Sequence, residues 1–171
     1  MLIDPGHTEI TIVGLGNVLL KDDGVGVHAV RELQKDPPKN VVVAEIGTRA
    51  LAAQQLLEDA DLVIAIDAAH ADGPPGSIYR FDADNLETDR PHSLHDLGII
   101  GLLGIMPEES RPKVIILGVE PEVIDYGMEL SPTVQAVLGR VVQATRQIVE
   151  EVRAIGLANL NAASLCAQDN T

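Results

Sequence analysis

Apolar positions along this chain fall into two kinds of run. Short blocks at residues 10–15, 41–45, 62–66 and 114–119 are almost continuously aliphatic, which is the pattern of strands buried on both faces. Between them, apolar residues return every three or four positions. Residues 24–34 carry Val25, Val27, Ala29, Val30 and Leu33, and residues 133–155 carry Val134, Val137, Leu138, Val141, Val142, Ile148 and Val152. That spacing predicts amphipathic helices. Shorter helices are expected at 49–57, which is rich in alanine and leucine, and at 94–105. Pro37 and Pro38 separate the first helix from the second strand. The turn residues at 72–76 precede a further strand at 77–81, which so short a connection predicts to be a hairpin partner antiparallel to the strand before it. Residues 82–90 are polar and acidic and read as a loop, while 157–171 lack a sustained apolar stripe.

Strands alternating with helices imply an α/β fold: one domain over 1–156, followed by a polar tail over 157–171. Its expected core is a mainly parallel, twisted sheet of about five strands with one antiparallel hairpin strand and helices on both faces. With 171 residues and 46% hydrophobic content, the chain suffices for one such core and is short for two. A formal net charge of -14 disfavours nucleic acid and anionic membrane as partners, because both select for basic patches. Cys166, the single cysteine, cannot form an internal disulfide and reads as an incidental thiol in the tail. Residues 1–9, with Asp4, His7 and Glu9, contain no apolar run of the secretory type, and no segment reaches the length of a membrane span. A cytoplasmic location is therefore expected.

The densest chemistry follows the first strand, in the run ITIVGLGNVLLKDDGVGVHAVREL. Gly14 and Gly16 suggest a dinucleotide-binding turn, yet Leu19 stands where a third glycine belongs and Asp22 and Asp23 occupy the helix entrance. Two carboxylates repel a phosphate and attract a cation. Asp67 closes the apolar block 62–66, where a charge is paired, hydrogen-bonded, coordinating or solvated by the loop. In PHSLHDLG, Ser93 and Asp96 have capping-box spacing, which places His95 in the first turn of a helix and His92 outside it. Ligands of open α/β sheets gather at the carboxyl ends of the strands, where these motifs fall. Carboxylates and an imidazole converging there make a mixed oxygen and nitrogen site, suited to nickel or zinc rather than magnesium or calcium. Read from the residues alone, Asp22 and Asp23 are equal candidates for metal ligand and helix cap. Asn17 suits either a left-handed turn or an amide contact with substrate, and His92 needs no function as a lone surface histidine.

The run Gly14, Gly16, Asn17, Leu20, Asp22, Asp23, Gly24, Gly26 resembles the N-terminal motif of the hydrogenase maturation proteases. These endopeptidases trim the C-terminus of the large subunit of nickel-iron hydrogenases. VIAIDAAH (63–70), PHSLHDLG (91–98) and LGVEPEVIDYGMELSPTV (117–134) resemble further segments of that family in the same order, so the resemblance spans residues 10–155. It implies that Asp23, Asp67 and His95 are both metal ligands and catalytic residues, with Asp22 serving the helix or the surroundings of the ligands. Asn17, Gly47, Thr48 and His92 would stand near the substrate, and the 82–90 segment and the glycine-threonine loop would set specificity. The metal it implies is nickel supplied by the precursor large subunit, with zinc or cadmium able to substitute in the isolated protein. A non-enzymatic nickel-binding accessory protein is the rival from another class. A peptidyl-tRNA hydrolase, whose opening also resembles IVGLGN, is disfavoured by the two aspartates and by the acidic charge.

Overall fold

The structure is a computed structural model that describes residues 8–49, 53–83 and 96–157. Its strands are β1 (Ile10–Leu15), β2 (Val41–Gly47), β3 (Leu62–Ala68), β4 (Ile78–Asp82) and β5 (Lys113–Val119), in the sheet order β2-β1-β3-β5-β4. Strands β2, β1, β3 and β5 run parallel, and β4 is antiparallel to β5. The helices are α1 (Val25–Lys35), α2 (Gln54–Glu58), α3 (Asp96–Ile105) and α4 (Pro132–Ile155). The α/β class and the largely parallel five-stranded sheet are those the sequence predicts.

Every residue of β1 and β3 is buried, which is why both read as continuous apolar blocks. Side chains alternate between the two faces of the sheet. Ile10 and Ile12 of β1, Leu62, Ile64 and Ile66 of β3 and Leu117 of β5 pack with Val30 and Leu33 of α1 and with Val134, Leu138 and Val141 of α4. On the other face, Val13, Val63, Ala65 and Ile116 meet Leu57 of α2 and Ile99 of α3. Fully buried side chains such as Leu33 and Ile64 each contribute about 2 kcal/mol relative to exposure. The helical stripe of α4 is started by Ser131, whose Oγ accepts the Val134 N–H at 3.3 Å, and by Pro132 in the first turn.

Three local expectations are corrected. β4 has the antiparallel sense predicted, but it pairs with β5 and not with β3, Ile78 lying opposite Val119. Residues 69–77 are long enough to step over one strand, a span of about 10 Å at two strand spacings. β5 fills the gap and pairs with β3 along its whole length, from Leu62↔Lys113 to Ala68↔Val119. β3 also continues past the predicted end at 66, so Asp67 lies within the strand, opposite Gly118. Finally, α2 is shorter than 49–57, with Arg49 outside any helix and 50–52 outside the described residues. Ser93 and the predicted start of the helix at 94–105 also lie outside them, as does the tail from 158 onward.

Candidate functional site

The strand order reverses between β1 and β3, since β2 lies on one side of β1 and β3 and β5 lie on the other. The carboxyl ends of β1 and β3 therefore border the crevice in which α/β sheets bind ligands. The first turn of α1 is seated over both ends. A Cβ on Gly26 would fall 2.0 Å from the Ile66 carbonyl oxygen and 2.6 Å from that of Leu15, so only glycine permits this approach.

Residues 16–24 form a turn closed on itself. Asp23 Oδ2 accepts the Asn17 N–H at 2.8 Å, and Asn17 Oδ1 accepts the Leu19 N–H at 3.0 Å. Asn17 thus holds an Asx turn in place, without the left-handed backbone expected of it. The Gly16 N–H reaches across to the Gly47 carbonyl at 3.2 Å, tying this turn to the end of β2. Gly47 has φ +61 and sits beside exposed Thr48.

Gly16 packs against the backbone of Asp23 and faces the side chain of Asp67. A Cβ there would lie 1.7 Å from the Asp23 carbonyl oxygen and 3.5 Å from Asp67 Oδ1, so the Asp67 side chain is directed at the turn that carries Asp23. Asp67 is wholly buried and its Oδ1 accepts the Ala68 N–H at 2.8 Å, while Asp23 retains 7% exposure at the surface of the turn. By strand alternation Asp67 shares the face of Val63 and Ala65, the face covered by α3. His92 and His95 lie outside the described residues. Among the described residues, no group of three histidines, cysteines or acids is placed to hold a metal.

Asp22 does not cap α1, whose preceding turn has no side-chain cap. Its carboxylate is fully buried and accepts three backbone N–H groups from the connection between β5 and α4: Ser131 on Oδ1 at 2.7 Å, and Glu122 and Val123 on Oδ2 at 2.9 Å each. Backbone bonds extend the join, with Lys21 N–H to the Gly127 carbonyl at 2.8 Å, Gly127 N–H to that of Leu19 at 3.0 Å, and Asp22 N–H to that of Val123 at 3.2 Å. The adjacent aspartates divide their work, Asp22 fixing a distant loop and Asp23 closing its own turn through the Asn17 N–H.

Glu45, in β2, is engaged by Arg31 in a bidentate pair at 2.9 Å. Glu120 went unnoticed. It follows β5 as Asp67 closes the block 62–66, and the same signal, a carboxylate ending a continuous apolar block, would have flagged it. Its side chain accepts from Ala71 N–H at 2.8 Å, Tyr79 OH at 3.2 Å and Gly73 N–H at 3.4 Å, with His70 Nδ1 at 3.3 Å. Burial pushes this carboxyl up, but these donors together hold it below the ordinary glutamate range. Glu120 therefore fixes the loop that follows Asp67. His28, on α1, is held below the ordinary histidine range by burial and by Arg31, and its buried Nε2 has no hydrogen-bond partner among the described residues.

Comparison with known proteins bears on what this arrangement does. Residues 27–148 match the family model described as hydrogenase maturation protease, HycI. The hydrogenase expression/formation protein HupD of Rhodobacter capsulatus is 30% identical over 87% of this chain and 73% of its own length. The hydrogenase 2 maturation protease of Escherichia coli is 26% identical over 87% of this chain and 93% of its own. Among solved structures, the [NiFe] hydrogenase maturation protease HybD from Thermococcus kodakarensis is similar with a TM-score of 0.71 and 29% identity, over 82% of this chain and 98% of that one.

Proposed function

The chain belongs to the hydrogenase maturation protease family, and from that membership we propose that it removes the C-terminal extension of a nickel-iron hydrogenase large-subunit precursor after nickel insertion. As a member it is an enzyme, an endopeptidase. The nickel it reads belongs to the substrate. One observation carries this reading: the buried Asp67 carboxylate points at Gly16, in the turn that also carries buried Asp23, at the point where the sheet order reverses.

In this account Asp23, Asp67 and His95 complete the coordination of the nickel that the precursor presents. Oxygen and nitrogen donors suit nickel, and zinc or cadmium would take the same ligands in the isolated protein. The chemistry such an ion would supply is polarisation of the scissile carbonyl or acidification of a water, and a carboxylate would serve as the general base. Asp67 is held within a strand and Asp23 by its bond from Asn17, which fixes the position of each. Asn17, Gly47, Thr48 and His92 are the residues assigned to substrate contact, with Asp22 supporting the turn. The 82–90 segment and the glycine-threonine loop set which precursor is accepted. The reaction belongs in the cytoplasm. Among the described residues no helix is long and apolar enough to cross a membrane, and the net charge of -14 argues against nucleic acid as a partner.

The test is processing of a nickel-loaded precursor by Asp23→Asn, Asp67→Asn and His95→Ala, with melting curves beside the activity. Each variant is expected to fold and to lose cleavage by about a hundredfold or more. Full cleavage by any one of them removes that residue from the site. Tight nickel binding by the isolated protein without any cleavage would point to the accessory-protein reading.

A further inference from the structure

The chain is poor in aromatic residues, with two tyrosines, one phenylalanine and no tryptophan. Tyr79 and Phe81 lie against each other in β4, ring centroids 5.9 Å apart. The remaining aromatic, Tyr126, stands 86% exposed on the loop that Asp22 fixes. Met128 at 64%, Leu19 at 55% and Ile124 at 45% join it, so four of the seven large hydrophobic residues exposed among the described residues sit on two loops bonded to each other. Scattered exposed apolar residues need no explanation, whereas a cluster on a fixed ridge marks an interaction surface.

The ridge is built rather than loose. Leu20 and Gly127 form a parallel bridge, and the Asp22 carboxylate holds the start and the end of the loop through Glu122, Val123 and Ser131. A surface ordered before binding loses less entropy when a partner arrives. It is also continuous with the site, because Leu19 lies in the turn that Asp23 closes. Exposed acids interleave with the apolar side chains: Glu122, Asp125 and Glu129 share the loop with Ile124, Tyr126 and Met128. The matching chemistry is apolar and basic.

We propose that Leu19, Ile124, Tyr126 and Met128 form the docking surface for a segment of the precursor polypeptide that presents apolar side chains beside lysine or arginine. This rests on the protease reading above. Docking there places the substrate against the turn that carries Asp23, and Tyr126 and Met128 are the residues of hot-spot type.

The experiment uses the full chain and nickel-loaded precursor, measuring Kd by equilibrium binding and KM and kcat from the mass of the processed subunit. Tyr126→Ser with Met128→Ser is expected to raise Kd and KM by about tenfold or more while kcat stays at the wild-type value. Asp125→Asn with Glu129→Gln is expected to weaken binding and to reduce its dependence on salt, and Ile105→Ser, an exposed apolar change away from the ridge, to alter neither. Unchanged Kd in the Tyr126→Ser, Met128→Ser variant, with a wild-type melting curve, overturns the proposal. So does a dimer that this variant dissociates while its affinity for precursor stays intact, because the ridge would then belong to a second copy of the chain. A wild-type protein that binds precursor through the ridge without cutting it would sink the protease reading and leave the docking surface standing.

Discussion

Asp22 and Asp23 adjoin in sequence and differ in surroundings, so their substitution separates stability from activity. Asp22→Ala leaves three amides, those of Glu122, Val123 and Ser131, without their acceptor, and should cost about 3 kcal/mol in urea unfolding. Asp23→Asn keeps an oxygen for the Asn17 N–H and should change stability by less than about 1 kcal/mol while processing is lost. A carboxylate closing a buried apolar block drew notice to Asp67, whereas the residues alone left Asp22 and Asp23 equal, because acids are common at helix entrances. The partners of Asp22 were not legible, since they lie 100, 101 and 109 residues away and no local pattern encodes that distance. Glu120 was within reach of the same rule that found Asp67.

The seating of α1 on the sheet is the element-level requirement of the site, and glycines report it. Gly26→Ala would drive a methyl group to 2.0 Å from the Ile66 carbonyl oxygen, and is expected to cost about 3 kcal/mol or more as α1 lifts from β1 and β3. Gly139→Ala, exposed in the middle of α4 with nothing within 4 Å of the new methyl, should instead stabilise by about 0.5–1 kcal/mol. Thermal melts of the two variants check both signs. The elements themselves were legible, because β1, β3 and β5 are buried runs and α1 and α4 carry helical stripes. The pairing of β4 was not: its nearness to β3 in sequence suggested a hairpin, and the competing pairing of β5 with β3 is a contact between distant segments.

Across the whole molecule, charge and buried titratable groups set the response to pH. Glu120 has its pKa lowered in the folded state, so unfolding takes up a proton below about pH 4.5, its ordinary value, and stability falls as pH drops through that range. Glu120→Gln should flatten this acid limb in melting curves taken across pH. His28 is likewise lowered from 6.5, so the unfolded chain binds the proton first and stability also falls as pH drops below that value. His28→Gln should remove that step. The class of fold and the acidic surface were legible from periodicity and composition, whereas the ridge at Leu19, Ile124, Tyr126 and Met128 exists only once two remote loops are joined. The central claim, that this protease reads nickel held by its substrate through Asp23, Asp67 and His95, is tested most directly by giving purified protein the nickel-loaded and the nickel-free precursor and following the mass of the large subunit. The account predicts loss of the C-terminal extension from the loaded form alone; equal cleavage of the nickel-free form would contradict it.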